Sequence, residues 1–288
     1  MNSTPLPNSE LLPVRCFLSF ADTRMKASLN RISAQAQETS LFDKILIFTE
    51  ESLDEDFREK WNAVLRRDVR GYGYYVWKPY VIWKVLESLP EGSFLLYCDA
   101  GSHINLQAKG KIQSYFKALE KDSLGIKAFR VSALFHGKER HWTKGDVFDS
   151  FCCRGNREVT ESAQYEATHI LFRKCERSME FLREWYEVYL TNFSLVDDSK
   201  SKSPDMKEFF ENRHDQSVFS VLYKVNGGMP LPDGDTMSDI RFNALQGKRD
   251  TVLHTESAMD WRKRAMLQFQ GYVKYVIIKC RWYLRLLH

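Results

Sequence analysis

Three short apolar runs alternate with helical patterns between residues 14 and 97, and this alternation limits the folds open to the chain. The runs VRCFLSFAD (14–22), KILIF (Lys44–Phe48) and SFLLY (93–97) are rich in β-forming residues and predict strands. The segments between them carry apolar residues at helical spacing: Met25, Leu29, Ile32 and Ala36 in the first, Phe57, Trp61 and Leu65 in the second. Such alternation predicts an α/β fold with a mostly parallel sheet flanked by helices.

The second half of the chain repeats both kinds of pattern less regularly. Strands are predicted at 128–135 and 165–174, a polar loop at 196–205, and helices at 80–89, 109–121, 176–190 and 214–224. The predicted organisation is a loose N-terminal arm (1–13), a single domain (14–255) and a basic, aromatic C-terminal helical segment (256–288).

Composition excludes several classes of protein. The 288 residues carry a net charge of only +4, without an arginine-rich block or a base-reading motif, which argues against nucleic acid as a partner. The six cysteines form no Cys-X-X-Cys pair, which is neither a zinc pattern nor a disulfide framework. The chain opens without a secretory apolar segment, so the reducing cytoplasm is the expected compartment.

The third predicted strand runs directly into Asp99, Ala100 and Gly101. In open α/β sheets, ligands bind beyond the carboxyl ends of the strands, which is where Asp99 would lie. Gly101 would give a ligand room or adopt a positive φ angle. An ordinary turn of the Asp-Gly type at the end of a strand explains the same residues.

Three blocks of sequence carry a family resemblance. The segment GYGYYVWKPYVIWKVLESLPEGSFLLYCDAG (71–101), followed by HWTKGDVF (141–148) and RHDQSVFSVL (213–222), closely resembles the signature of bacterial polysaccharide-associated glycosyltransferases of GT-A type. The resemblance spans residues 15–225. It implies a GT-A-like fold with a Rossmann-like nucleotide-binding half. It also implies transfer of a sugar from a nucleotide-sugar donor, a UDP-sugar being favoured, to a glycan or lipid-linked glycan in cell-surface polysaccharide synthesis.

The resemblance also implies a donor site. Its residues would be Ser19, Ala21, Asp22 and Arg24 at the end of the first strand, Tyr74 and Lys78 in the run GYGYYVWKP (71–79), and Asp99, Ala100 and Gly101 after the third strand. Lysine suits a diphosphate as a point charge. Each assignment has a structural alternative. Asp22 or Thr23 would cap the next helix, Tyr74 would pack in the core with Gly71 and Gly73 allowing a turn, and Lys78 would be a solvated lysine ahead of Pro79.

An inverting transfer requires a carboxylate that removes the proton of the acceptor hydroxyl. Asp215 is the first candidate and Asp146 the second, because both lie in matched blocks. Either one could instead cap a helix, and a retaining mechanism would not need such a base. The acceptor side is predicted to contain Trp142, Thr143, Lys144, His214 and Gln216.

Many GT-A enzymes bind Mn²⁺ or Mg²⁺ through Asp-X-Asp, whereas this chain has Asp99-Ala100-Gly101 and lacks the second carboxylate. The predicted metal ligand is Asp99, with His254 or His103 as a second ligand. One carboxylate together with the donor phosphates can hold such an ion. Metal dependence is therefore left open.

The C-terminal run QGYVKYVIIKCRWYLRLLH is apolar but interrupted by Lys274, Lys279, Arg281 and Arg285. These cations argue against a membrane span and favour a helix lying on an anionic membrane surface. The predicted location is therefore the cytoplasm, at the inner face of the membrane. The alternative is a final helix packed on the domain.

Two other functions are compatible with the predicted architecture. A sugar-phosphate nucleotidyltransferase would normally carry a glycine-rich basic loop after its first strand, and SFADTRMK (19–26) lacks those glycines. A non-catalytic membrane-surface module would need only the basic C-terminal segment.

Overall fold

The structure, a computed structural model, describes residues 12–131, 137–231 and 245–246. Its strands are β1 (Arg15–Phe20), β2 (Lys44–Phe48), β3 (Phe94–Cys98), β4 (His103–Ile104), β5 (Ile126–Arg130), β6 (Tyr165–Arg173) and β7 (Leu245–Gln246). Its helices are α1 (Lys26–Thr39), α2 (Glu55–Lys60), α3 (Gly71–Tyr74), α4 (Trp77–Ser88), α5 (Lys109–Glu120), α6 (Gly145–Ser150), α7 (Arg157–Thr160), α8 (Glu176–Thr191) and α9 (Asp215–Val225).

The predicted α/β class is confirmed. Five strands form the main sheet in the order β2-β1-β3-β6-β5. β1 pairs in parallel with β2 and with β3, whereas β6 is antiparallel to both β3 and β5. Four strands therefore run in one direction and β6 alone is reversed, so the sheet is mixed but mostly parallel.

The position of β1 defines where a ligand would bind. Its two parallel neighbours, β2 and β3, lie on opposite sides of it, so the winding of the chain reverses between β1 and β3. In open α/β sheets, ligands bind in the crevice outside such a switch point. Asp22 follows β1 and Asp99 follows β3, so both lie at the carboxyl ends of these two strands, beside the switch point.

Helices cover both faces of the sheet. Leu18 and Tyr97 face a core formed with α4, α8 and α9, whereas Phe17 and Leu96 face a second core formed with α1 and α5. This alternation follows from the strand geometry, which turns successive side chains to opposite faces.

Two predicted elements differ in extent. The helix predicted from the spacing of Phe57, Trp61 and Leu65 ends at Lys60, and the chain turns at residues 61–64. The indole N–H of Trp61 donates to the hydroxyl of Tyr186 (3.0 Å). The strand predicted at 128–135 is observed as Ile126–Arg130, and residues 132–136 lie outside the described ranges.

Several predictions fall on residues that the structure does not describe. They are nearly all of the N-terminal arm, the whole segment 256–288 and His254. Among the helices within the described ranges, none combines the length and the apolar character that a membrane crossing requires.

Residues 71–75, which include α3, form a left-handed turn and not a right-handed helix. Five successive residues, Gly71 to Tyr75, have φ angles of 58°, 53°, 93°, 51° and 64°. This conformation costs a non-glycine residue about 1–2 kcal/mol. Tertiary contacts compensate, since the indole N–H of Trp77 donates to the Gly71 carbonyl (3.0 Å) and the Tyr189 hydroxyl donates to that of Tyr74 (3.2 Å).

Replacing Gly71 by alanine is expected to destabilise the fold by about 1–2 kcal/mol, because its φ is positive and the added Cβ would lie 2.5 Å from the Tyr75 ring. Gly110→Ala is the matched control. A methyl group added to Gly110 in α5 would meet no neighbouring side chain within 4 Å among the described residues, so the same change should stabilise by about 0.5–1 kcal/mol. Urea unfolding measures both. Equal effects at the two glycines would contradict the left-handed turn.

Candidate active site

A cleft of about 680 Å³ opens at the carboxyl ends of β1 and β3. This volume is in the range that holds small ligands. The lining residues come from five parts of the chain: 20–25 at the end of β1, most of the segment 67–78, residues 99–102 after β3, residues 167–168 of β6, and residues 213–216 at the start of α9. The cleft therefore lies at the switch point of the sheet.

A buried lysine joins two carboxylates at the floor of the cleft. Lys78 Nζ lies 2.6 Å from Asp215 Oδ2 and 3.2 Å from Asp99 Oδ1, and it donates to the carbonyl of Ala167 (3.1 Å). The side chains of Lys78 and Asp215 are 2% and 6% exposed, whereas Asp99 is 33% exposed. Only Asp99 therefore presents much of its carboxylate to a ligand in solution.

Aromatic rings complete the surroundings of the ammonium group. Tyr97 donates its hydroxyl hydrogen to Asp99 Oδ1 (2.7 Å). Lys78 Nζ lies 4.9 Å from the centroid of the Tyr75 ring and 5.5 Å from that of Tyr97. Cation–π attraction adds to the ion pairs at such distances.

Burial and charge act in opposite directions on this cluster. Burial alone would lower the pKa of Lys78, but Asp215 and Asp99 together raise that pKa above its usual value. Burial raises the pKa of Asp215 even though Lys78 opposes the shift. Lys78 therefore stays charged at neutral pH, and Asp215 is a stronger base than a solvated aspartate.

The residues after β1 adopt the helix-capping alternative. Asp22 accepts hydrogen bonds from Arg24 Nε (2.8 Å), Arg24 Nη2 (2.9 Å) and the Arg24 backbone N–H (3.0 Å), and it caps the 3₁₀ turn Thr23–Met25. The side-chain hydrogen bond from Arg24 holds the pKa of Asp22 below its usual value. Ala21, Asp22 and Arg24 line the cleft, whereas Ser19 is fully buried in β1 and is not among the lining residues.

His214 is placed at the start of α9 with a positive φ of 57°. Its Nδ1 lies 2.7 Å from the carbonyl of Val196, so Nδ1 carries the hydrogen. Burial lowers the pKa of His214, which leaves Nε2 as a neutral acceptor. Nε2 is buried and has no hydrogen-bond partner within the ranges that the structure describes, and His214 lines the cleft.

Gln216 also lines the cleft, and its amide nitrogen donates to Gln164 Oε1 (2.8 Å). Of the predicted acceptor-side residues, His214 and Gln216 are thus the two at the cleft.

The structure places the other three predicted acceptor-side residues outside the cleft. Trp142, Thr143 and Lys144 are buried and do not line the cleft. The hydroxyl of Thr143 donates to Glu139 Oε1 (2.6 Å), and Lys144 Nζ donates to the carbonyls of Ser194 (2.6 Å) and Asp197 (2.9 Å). These side chains tie loops to the domain.

Asp146, the second candidate base, is also outside the cleft. Its carboxylate accepts hydrogen bonds from the backbone N–H groups of Lys202 and Ser203 (2.8 Å each) and so fastens the loop before α9. These contacts occupy the oxygens that a base would need, so the structure argues against Asp146 as the base.

Two further predicted residues do not line the cleft. The hydroxyl of Tyr74 donates to Asp198 Oδ2 (2.8 Å), and Tyr74 is not a lining residue. His103 is buried in β4, with Nδ1 2.6 Å from Arg31 Nη1. Neither placement supports the predicted donor or metal contact.

Three cationic residues of the cleft were missed by the sequence analysis: Arg67, Arg70 and Arg213. Arg67 and Arg70 belong to the charged run RRDVR (66–70), which directly precedes the matched block at 71–101. Arg213 is the first residue of the matched block at 213–222. Their position in or beside the matched blocks is the signal that could have identified all three.

Comparisons with known proteins cover both sequence and structure. No protein-family model matches the chain, and no curated protein sequence matches it. Similar solved structures include the glycosyltransferase GlyE of Streptococcus pneumoniae TIGR4, at 10% identity and a TM-score of 0.45, over 95% of this chain and 64% of that one. This chain therefore spans less than two thirds of GlyE.

Two further similar structures represent different enzymes. Mouse xyloside xylosyltransferase 1 is 10% identical with a TM-score of 0.39, over 76% of this chain and 85% of that one. The 4-diphosphocytidyl-2C-methyl-D-erythritol synthase of Anaerococcus prevotii is 12% identical with a TM-score of 0.35, over 74% of this chain and 99% of that one. Similarities this low do not assign an activity, so the function has to be argued from the cleft.

Proposed function

We propose that the protein is a glycosyltransferase of GT-A type that transfers a sugar from a nucleotide-diphosphate donor to a hydroxyl group of a glycan. The observation that carries the proposal is the Lys78 cluster, in which an exposed carboxylate, Asp99, and a buried one, Asp215, share one ammonium group in a cleft at the switch point. Asp99 would contact the donor nucleotide, and Asp215 would face the reacting carbon.

In the proposed reaction, the acceptor oxygen attacks the anomeric carbon of the donor sugar. The bond between that carbon and the phosphate oxygen breaks, and its electron pair leaves with the nucleoside diphosphate. The proton of the acceptor hydroxyl passes to Asp215. A positioned carboxylate contributes roughly 10²–10⁴-fold to such a step.

Lys78 would orient this base. One oxygen of Asp215 lies 2.6 Å from Nζ, which leaves the other oxygen for the acceptor hydroxyl. His214 Nε2 has no hydrogen-bond partner among the described residues, since its nearest carboxylate oxygen, Asp198 Oδ1, lies 3.8 Å away. As a neutral acceptor it would take a hydrogen bond from a sugar hydroxyl beside it.

The acceptor is proposed to be a glycan or a lipid-linked glycan at the inner face of the cytoplasmic membrane. Support comes from the sequence alone, through the cations of segment 256–288 and the resemblance to polysaccharide-associated enzymes. Vesicles with and without anionic lipid would test the membrane contact by co-sedimentation of the full chain.

Thermal shift of the full chain against UDP, GDP and CMP tests the donor site. We expect one nucleotide to raise the melting temperature, since a ligand at 100 times its Kd stabilises by about 2.7 kcal/mol. Asp99→Asn should reduce the shift, whereas Asp56→Asn, an exposed carboxylate on α2, should not.

Other outcomes of this assay would contradict the proposal. Stabilisation only by a nucleoside triphosphate together with a sugar phosphate would indicate a nucleotidyltransferase. No shift with any nucleotide would favour the membrane-surface module.

A further inference from the structure

We infer that arginine side chains of the cleft, chiefly Arg70 and Arg213, hold the diphosphate of the donor in place of a divalent cation. This inference rests on the proposed function and concerns how the same site stabilises its leaving group. A departing nucleoside diphosphate concentrates negative charge, which either a metal ion or guanidinium groups can stabilise.

The carboxylates of the cleft do not fit a divalent cation. Mg²⁺ and Mn²⁺ need several oxygen ligands. Both oxygens of Asp22 are bound by Arg24. Both oxygens of Asp68, a fourth carboxylate of the cleft, are bound by Arg66. One oxygen of Asp99 accepts the Tyr97 hydroxyl and lies 3.2 Å from Lys78 Nζ. Asp215 Oδ2 is paired with the same ammonium group.

Lys78 itself opposes a metal ion beside Asp99. Two unit charges 4 Å apart interact by about 4 kcal/mol near a protein surface, and a divalent ion would double that repulsion. Position 101, where a second carboxylate would stand in Asp-X-Asp, is glycine. No cluster of three or more His, Cys, Asp or Glu able to hold a metal occurs among the described residues.

The arginines of the cleft differ in how far their charges are already neutralised. Arg24 is bound to Asp22, and Arg67 lies 3.1 Å from Glu50. In contrast, no ion pair or hydrogen bond to the Arg70 guanidinium is found within the described ranges. Arg70 is therefore a cation of the cleft wall that is available to an anion.

Arg213 is the second cation, and its charge is only partly neutralised. Its guanidinium carbon lies 4.1 Å from the centroid of the Trp142 ring, which supports the group from one side. Glu211 Oε1 lies 3.1 Å from its Nε but forms no hydrogen bond to it, and the Glu211 side chain is 42% exposed, so solvent weakens this ion pair more than that of Arg67 with Glu50, which is 17% exposed. Arg70 and Arg213 both line the cleft. Burial lowers the pKa of Arg213, and the charge of Arg70 acts in the same direction.

Two cations that line one cleft would attract a dianionic diphosphate. Guanidinium groups bind phosphate oxygens in a bidentate manner through parallel N–H donors. As the bond between the anomeric carbon and the phosphate oxygen breaks, its electron pair stays on that oxygen. The N–H donors of Arg70 and Arg213 would stabilise the charge that develops there.

Isothermal titration of the full chain with UDP, GDP and CDP tests this inference, in EDTA and in Mn²⁺. We expect the preferred nucleoside diphosphate to bind with the same Kd, within about twofold, in both buffers. In EDTA, Arg70→Gln and Arg213→Gln should each weaken binding about tenfold, which corresponds to about 1.4 kcal/mol. Arg70→Lys should be intermediate, because lysine keeps the charge and loses the bidentate geometry.

Arg183→Gln, an exposed arginine on α8 outside the cleft, is the matched control and should bind as the unmodified chain does. Arg70 is exposed, so its variants are expected to fold even if the Arg213 variant does not.

Two results would overturn the inference, and they are distinguishable. Binding that EDTA abolishes and Mn²⁺ restores, with both glutamine variants unaffected, would assign the diphosphate to a metal ion and leave the proposed function standing. Failure of every nucleoside diphosphate to bind in either buffer would overturn the proposed function and the inference together.

Discussion

Asp215→Asn is expected to lower the rate of sugar transfer by roughly 10²–10⁴-fold while nucleotide binding persists. The amide keeps the size of the side chain but cannot take the acceptor proton. The fold should tolerate the change, because Lys78 retains Asp99 as a counterion at 3.2 Å. Rates of nucleoside diphosphate release with the acceptor, together with the Kd for the nucleotide, measure the two effects separately.

Asp146→Asn provides the comparison that distinguishes the two candidate bases. Asp146 holds the backbone of Lys202 and Ser203, so its replacement should lower the melting temperature and leave the rate per folded molecule nearly unchanged. A rate that falls with Asp146→Asn and persists with Asp215→Asn would show that the base has been assigned to the wrong carboxylate.

Lys78→Met is expected to destabilise the domain by about 3–5 kcal/mol, the usual cost of removing one partner from a buried ion pair. The variant would leave Asp215 buried without its cation, and only Asp99 is exposed enough to be hydrated. Urea unfolding at pH 7 measures the loss. Lys84→Met, at an exposed position of the same helix, should change stability by no more than about 0.5 kcal/mol.

The loss caused by Lys78→Met should depend on pH in a definite direction. Burial already raises the pKa of Asp215, and removal of the ammonium would raise it further. A carboxyl group whose pKa is higher in the folded state than in the unfolded state destabilises the fold at pH values above the folded-state pKa. This penalty disappears as the pH falls below the pKa of the unfolded state. The variant should therefore recover stability on acidification.

The double variant Lys78→Met/Asp215→Asn gives the sharper control. It removes the unpaired buried charge, so it should be more stable than Lys78→Met alone, with a coupling energy of about 0.5–3 kcal/mol. If the two substitutions were simply additive, the buried ion pair would not be the source of the effect.

The sequence predicted the class of fold because strand and helix periodicities are local. The predicted bounds of β1, β2 and β3 agree with the structure to within about two residues, and Asp99 lies, as predicted, beyond the carboxyl end of β3. The direction of β6 could not be predicted, because a buried strand has the same apolar pattern whether it runs parallel or antiparallel to its neighbours.

The Lys78–Asp215 pair shows why the site itself was only partly predictable. Its two residues are separated by 137 positions, and no spacing rule connects them. Sequence patterns placed both in matched blocks but described Lys78 as a diphosphate contact or a solvated lysine. The fold instead buries it as the counterion of two carboxylates.

Asp146 was a second candidate base for a related reason. Asp146 and Asp215 both lie in the first turn of a helix, so their local patterns look alike. They differ in their tertiary contacts. Asp146 accepts hydrogen bonds from the backbone of residues 202–203, whereas Asp215 pairs with Lys78 at the cleft.

A crystal structure of the full chain with a non-hydrolysable nucleotide-diphosphate sugar tests the central claim most directly. We expect the nucleotide between the ends of β1 and β3 within hydrogen-bond distance of Asp99, the diphosphate against Arg70 and Arg213, and the anomeric carbon facing Asp215. A donor bound elsewhere on the molecule, with Asp99 and Asp215 still paired with Lys78 and in contact with no ligand, would contradict the account.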